Sequence, residues 1–266
     1  MKQKLKQLLK RKGWYYYLRY SALFKIYEAL LKPETRLLQK GEVEFYRSFL
    51  PKCDLVFDIG ANDGHKTAAF LELSKKVICI EPDEENSRLL NIRFRNNKNV
   101  TVERVAISDS SGTATMHIHH AASAFNTLSP KWKQLLENNG EQRWNEDIRF
   151  MGTTQIQTTT LDELIGRYGS PDFIKIDVEG HEPWVLNGLT TAVPFISFES
   201  LLPEYKTECL DCIKRIMLIE GKARFNVAKD EKLIFKSFDT VERLKDWIDE
   251  NENSNTIEVI VRMNVN

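Results

Sequence analysis

From residue 54 onward, short apolar runs at 55–59, 77–80, 100–107, 173–178 and 195–198 are separated by stretches of helical spacing. Apolar runs this short, buried on both faces, predict a mostly parallel sheet with helices packed over it. Thr160 and Glu163 have the spacing of a capping box ahead of Leu164 and Ile165, and Asp83 is placed to cap a helix carrying Leu89, Leu90 and Ile92. Asp239 and Glu242 repeat the box before Val241, Leu244 and Ile248, an apolar stripe of helical period. Residues 257–263 then alternate as a strand. Two stretches break the rhythm: 113–119 alternates like an edge or antiparallel strand, and 121–154 reads as a long polar connection holding Trp132 and Trp144. A connection that long in a compact domain points to a functional role. Residues 42–50 read as a helix ending at Pro51.

Composition narrows the class. With 266 residues, 42% hydrophobic and 29% charged, the chain has the make-up of a soluble globular protein with one substantial core. No apolar run approaches the roughly 18 residues of a membrane span. Net charge is zero, yet residues 1–32 hold nine Lys or Arg against Glu28 alone, so the remainder is acidic. We therefore divide the chain into a basic, aromatic helical extension at 1–50 and a catalytic-size α/β domain at 51–266. The extension lacks the uninterrupted apolar core of a secretory signal, and the expected location is cytoplasmic. Cys209 and Cys212 form a single C-x-x-C with no second pair at zinc spacing, which favours a plain helix over a metal or redox site.

The candidate chemistry begins where the first strand ends. Asp58 is followed by Gly60, Asn62 and Gly64, a turn that lets the backbone approach a ligand while the next helix presents free amides. Glu81, 21 residues after Gly60, ends the second predicted strand at the spacing that suits a ribose-binding acid. The pyrophosphate fingerprint G-x-G-x-x-G is absent, which argues against a dehydrogenase.

The order of these blocks resembles one family. Asp58-Ile59-Gly60-Ala61-Asn62-x-Gly64, Glu81-Pro82, Val105-Ala106-Ile107-Ser108-Asp109, Thr160-Leu161-Asp162 and the run from Phe173 through Asp177 to Glu182 are similar to the FkbM methyltransferases. The resemblance, from about residue 40 to 205, implies a Rossmann-like class I methyltransferase with a mostly parallel seven-stranded sheet. It implies S-adenosylmethionine as cofactor, with methionine near Asp58 and Gly60, ribose on Glu81 and adenine near Ser108 and Asp109. It further implies O-methylation of a hydroxyl on a sugar, glycan or natural-product small molecule.

Such a reaction calls for a base on the acceptor. Period-two geometry puts Lys175 and Asp177 on one face of their strand, with Glu199 ending the neighbouring one, so the three can gather at the carboxyl edge of the sheet. Asp177 is the expected general base and His181 the second candidate. His117, His119 and His120 split across a strand and leave at most two ligands per face, so no metal is expected. The basic residues Lys6, Lys10, Arg11 and Lys12, with Trp14, Tyr15, Tyr16, Tyr17, Leu23, Phe24 and Tyr27, suit peripheral contact between residues 1–32 and an anionic membrane. Overall neutrality disfavours nucleic acid. An RNA methyltransferase, or a non-catalytic nucleoside-binding protein of the same fold, is the competing reading. Nothing in the sequence specifies an oligomeric state.

Overall fold

The computed structural model describes residues 14–21, 33–144 and 147–264. Its central sheet has the order β10-β9-β11-β8-β7-β1-β2-β3. The strands are β1 (Cys53–Ile59), β2 (Ser74–Ile80), β3 (Val100–Glu103), β7 (Phe173–Ile176), β8 (Phe195–Leu202), β9 (Arg224–Lys229), β10 (Lys232–Leu233) and β11 (Asn255–Arg262). Every pairing from β3 to β8 is parallel, whereas β11 runs antiparallel between β8 and β9. The predicted mostly parallel sheet is therefore present, extended by the two-residue hairpin strand β10.

Period-two alternation sends the apolar side chains to two faces. Phe57, Ile59, Ile78, Ile174 and Phe198 pack with α6 (Leu161–Tyr168), α7 (Glu182–Asn187), α8 (Lys206–Ile219) and α9 (Val241–Glu250). Val56, Val77, Phe173 and Ile260 face the other way, toward α2 (Pro33–Arg47), α3 (His65–Phe70) and α4 (Glu84–Arg93). Tyr46 of α2 is fully buried against Phe70 and Phe173, with ring centroids 4.8 and 5.8 Å away. A buried ring of this size contributes about 1.5–3 kcal/mol, so the second half of the predicted 1–50 extension helps build the core of the domain. Cys209 and Cys212 lie buried and unbridged in α8, as the helical reading expects.

Four expectations need correction. The predicted 100–107 strand is broken: β3 stops at Glu103, Arg104 turns out to Glu84 at 3.2 Å, and β4 (Ala106–Ile107) joins a second sheet. That sheet, of order β4-β6-β5, also contains β5 (Gly112–Ile118) and β6 (Gly152–Thr159). The 121–154 connection holds α5 (Pro130–Trp144) and the start of β6, because Ser129 Oγ accepts the Trp132 amide at 3.1 Å and Trp132 and Leu136, one turn apart, bury against Leu201 and Tyr205. Polar neighbours on three sides hide that short stripe from the sequence pattern.

The remaining two corrections concern helix caps. Thr160 caps α6 by accepting from the Glu163 amide at 3.1 Å, but the Glu163 carboxylate takes the hydroxyls of Ser111 and Thr159 instead of closing the box. Thr240, and not Asp239, caps α9. Asp239 is held by paired backbone hydrogen bonds to Phe225, 2.8 Å each, which leaves the next residue as the flank of the helix. Asp83 caps α4 as predicted, accepting from the Asn86 amide at 2.9 Å.

Candidate active site

The chain runs from β1 out to β3 and later returns on the other side of β1 to form β7, so the switch in strand order lies between β1 and β7. Open α/β sheets place ligands outside the carboxyl ends of strands at such a point. A cleft of about 660 Å³ opens there, bordered by Gly60, Asn62, Glu81, Met116, Asp177 and His181. Gly60 (φ 79°) is required at its floor, since a Cβ would lie 1.8 Å from the Asp177 carbonyl oxygen. The residues after β5 form the roof: Asn126 Nδ2 donates to Asp83 at 2.9 Å, and Thr127 Oγ1 donates to the Glu179 carbonyl at 2.7 Å. The second sheet and its loop are thus clasped to both sides of the cleft.

Glu81 is buried at the end of β2. One carboxylate oxygen accepts the Asn62 amide at 2.8 Å and the other the Asp83 amide at 2.8 Å. Burial nevertheless pushes its carboxyl up to about 7. Each oxygen keeps a lone pair for a further donor. Asp58, also buried, accepts from Thr67 Oγ1 at 2.6 Å through one oxygen while the other has no partner, and burial raises its carboxyl. It stands in register with Lys175 across the β1–β7 pair.

Lys175 is 2% exposed, and its Nζ donates to Asp177 Oδ2 at 2.6 Å. Burial works against the ammonium, yet the carboxyls of Asp177, Glu199 and Asp58 hold its proton affinity above that of an ordinary lysine. Beyond Asp177 lies a second, partly open space of about 320 Å³, walled by Glu179, Glu182, Glu199, Trp132 and Tyr205. The negative charge of Asp177, then burial, lifts Glu199 to about 8, and burial lifts Glu182 to about 7. Glu179 sits in the left-handed region (φ 55°) and is driven well above the carboxylate range by burial and by Asp177. Asp177 and Glu179 line both spaces, so the two chambers meet at these side chains.

Among the predicted residues, Gly60, Asn62, Glu81, Asp177 and His181 border the cleft, and Glu199 borders the second chamber. Asp58, Gly64, Ser108, Asp109 and Lys175 border neither space, and Asp109 is exposed. Ser108 reaches the cleft through His181, whose Nε2 is 3.2 Å from Ser108 Oγ. The His181 ring stacks on Trp184 with centroids 4.9 Å apart, and burial holds it down to about 4. His181 is therefore neutral and sits on the cleft side, away from the acidic chamber. His65 pairs with Glu42 at 2.8 Å, outside the cleft. Among the described residues, no three His, Cys, Asp or Glu side chains are grouped to hold a metal.

Sequence reasoning missed Glu179, Glu182, Trp132 and Tyr205 as walls. Glu179 and Glu182 were present in the matching block but carried no periodic signal, and the two aromatic residues meet only through the α5 packing.

The cleft fits S-adenosylmethionine on its own features. A buried acid at the β2 end has lone pairs to spare for ribose hydroxyls, Ile80, Ile107 and Met116 give apolar walls for a base, and the Asp177 carboxylate, ion-paired with Lys175, borders the same space and suits a sulfonium.

Comparison with known proteins agrees. Over 168 residues the chain is 30% identical to the 2-O-methyltransferase NoeI of Sinorhizobium fredii, covering 60% of this chain and 67% of that protein. It is 28% identical over 165 residues to the hexuronic acid methyltransferase AglP of Haloferax volcanii, covering 60% of this chain and 61% of AglP. A solved structure of methyltransferase FkbM from Methylobacillus flagellatus superposes with a TM-score of 0.47 at 16% identity, covering 79% of this chain and 44% of that one. Residues 58–208 match the Methyltransferase FkbM domain, more than half of the chain, and the protein belongs to that family of S-adenosylmethionine-dependent methyltransferases.

Proposed function

We propose that this chain transfers the methyl group to a hydroxyl of a sugar, glycan or natural-product small molecule, with Asp177 as general base. The observation that carries this reading is that Asp177 borders both the cofactor cleft and the acidic chamber, so it stands where a donor in one meets an acceptor in the other. NoeI and AglP, by their names, methylate an oxygen and a hexuronic acid, which supports a sugar hydroxyl.

When bound, S-adenosylmethionine supplies an activated methyl group that an oxygen can displace in line, the bonding pair leaving with sulfur. Holding the acceptor oxygen in line is then the main task of the protein. Lys175 fixes the Asp177 carboxylate from behind and leaves its second oxygen to take the hydroxyl proton. Converting Asp177 to Asn should cut turnover about tenfold or more while S-adenosylhomocysteine affinity and melting temperature hold. Near-normal turnover would remove Asp177 from the role.

The same reading gives residues 1–32 to an anionic membrane surface, with the protein peripheral on the cytoplasmic side. Tyr17 and Leu18 are exposed on α1 (Trp14–Arg19), while Tyr20 and Tyr17 lie under the guanidinium groups of Arg93 and Arg95. Lys6, Lys10, Arg11, Lys12, Leu23, Phe24 and Tyr27 lie outside the described residues. No helix among those described is long and apolar enough to cross a membrane. Salt-sensitive sedimentation with anionic vesicles, lost on deletion of residues 1–32, is the expected result, and salt-insensitive or absent binding would refute it.

A further inference from the structure

We infer that Thr127 is a positioning residue for methyl transfer: its hydroxyl ties the roof of the cofactor cleft to the backbone turn at 178–180, so that a filled cleft holds the boundary with the second space in its working shape. This rests on the reading of the cleft as the S-adenosylmethionine site, and it adds how cofactor binding reaches the residues on the far side of Asp177.

The turn needs holding from outside. Glu179 (φ 55°) and Gly180 (φ 87°) follow Asp177 and Val178 in the left-handed region. A residue with a side chain keeps that conformation only where its surroundings impose it. Here they do so by three contacts. Glu182 Oε1 accepts the Val178 amide at 3.1 Å and the Gly180 amide at 3.3 Å. Tyr205 packs so closely on Gly180 that a Cβ there would lie 2.6 Å from its hydroxyl oxygen. The third contact comes from the roof, where Thr127 Oγ1 donates to the Glu179 carbonyl at 2.7 Å. Glu179 borders both spaces, so the shape of this turn sets their common wall.

The Thr127 hydroxyl has one direction in which to point. Its oxygen accepts the Ser129 amide at 2.8 Å, so its single proton goes to the Glu179 carbonyl. Its backbone is fixed as well: Thr127 exchanges hydrogen bonds with His117 of β5 at 2.7 and 3.2 Å, and the residue is 1% exposed. On the cofactor side, Ser123, Ala124, Asn126 and Leu128 border the cleft with it. Asn126 Nδ2 donates to Asp83, whose amide is one of the two donors to Glu81. On the other side, Ser129 Oγ lies 3.1 Å from the Tyr205 hydroxyl and accepts the Trp132 amide at the start of α5. The segment from Asn126 to Ser129 thus runs from the ribose acid to the wall of the second space, with Thr127 bonded to the turn midway. A ligand packed under this roof quiets the roof, and through that hydrogen bond the turn.

The test is amide hydrogen exchange of the full-length protein, resolved at Val178 and Gly180, with and without saturating S-adenosylhomocysteine. Both amides are bonded to Glu182, so they report on the turn and not on direct contact with the ligand. In the wild type the ligand should slow them about three- to tenfold, the effect of one retained hydrogen bond on local opening. In Thr127→Val, which keeps the shape and loses the hydroxyl, that slowing should vanish, while the Asn62 and Asp83 amides at Glu81 are still protected by the ligand. Thr127→Ser should behave as the wild type. Thermal melting and calorimetry check that each variant is folded and binds the ligand. Should Thr127→Val not fold, Thr127→Cys, a weak donor of similar size, decides in its place, with a reduced slowing expected. Slowing that persists in full in the variant lacking the hydroxyl, or that is absent in the wild type, overturns the inference. Failure of the cofactor reading looks different, since calorimetry would then show no binding to the wild type, whereas failure of the inference alone leaves that binding intact.

Discussion

Replacing Lys175 by Met tests the charge arrangement behind the site. The ammonium is buried, bonded to Asp177 at 2.6 Å, and surrounded by Glu199, Asp58 and Glu258. Removing one partner of a buried pair costs about 3–5 kcal/mol because the other charge is left uncompensated. Asp177 keeps 25% of its side chain exposed, so water recovers part of its solvation and the lower end applies, about 3 kcal/mol. For a domain of this size that loss lowers the melting temperature by about 6–12 °C.

The pH dependence separates this account from simple loss of packing. Asp58 and Glu199, already raised in the wild type, bind protons still more tightly in the folded state without the cation, so the penalty is smallest in acid and grows as pH rises through their folded values. Urea denaturation of wild type and variant at about pH 5.5 and about pH 8 should therefore give a larger difference at the higher pH. The double variant Lys175→Met with Asp177→Asn should recover part of it. A difference under about 1 kcal/mol, in the range of an exposed pair, or one independent of pH, would refute the reasoning.

Two further outcomes follow from the cleft. Gly60→Ala should abolish S-adenosylhomocysteine binding and destabilise the fold by more than the about 1–2 kcal/mol of a left-handed alanine, because the new Cβ meets the Asp177 backbone and cannot rotate away; retained binding by calorimetry would contradict this. Glu81 and Glu182 at about 7 and Glu199 at about 8 lie above their unfolded values, so the stability they contribute is complete in acid and lost as pH climbs through that range. His65, raised by its hydrogen bond to Glu42, has the same sign, and His181 at about 4 is already neutral. The ligand-free protein should accordingly melt at a lower temperature at about pH 8.5 than at about pH 6.5, and a flat or rising trend in calorimetry would count against the assignment.

What could be read from the sequence was local. The strands β1, β2, β7 and β8 are continuous apolar runs because both faces of the sheet are covered, and the period-two rule puts Lys175 and Asp177 on one face. The acid at the end of β2 could be found from its spacing alone. What escaped depends on tertiary contact. Helix α5 buries Trp132 and Leu136, with Leu135 and Trp144 partly buried beside them, and the partners Leu201 and Tyr205 are some seventy residues away from Trp132 and Leu136. The reciprocal half of the capping box at Thr160 failed because Ser111, from the turn before β5, competes for Glu163. The burial that keeps His181 neutral comes with the approach of Ser108 and Trp184, which no local pattern around residue 181 displays. The acidic chamber combines residues from the turn after β7, from α7, from β8 and from α5, a convergence no one-dimensional pattern displays.

The central claim is that the crevice beyond Gly60 holds a sulfonium nucleoside with its sugar on Glu81. Titration calorimetry of wild type and Glu81→Ala with S-adenosylhomocysteine tests it most directly. The account predicts one site in the wild type and a loss of about a hundredfold or more in the variant, the range expected when hydrogen bonds to a charged group are removed. Absence of binding to the wild type near millimolar concentration, or equal affinity in the two proteins, would contradict it.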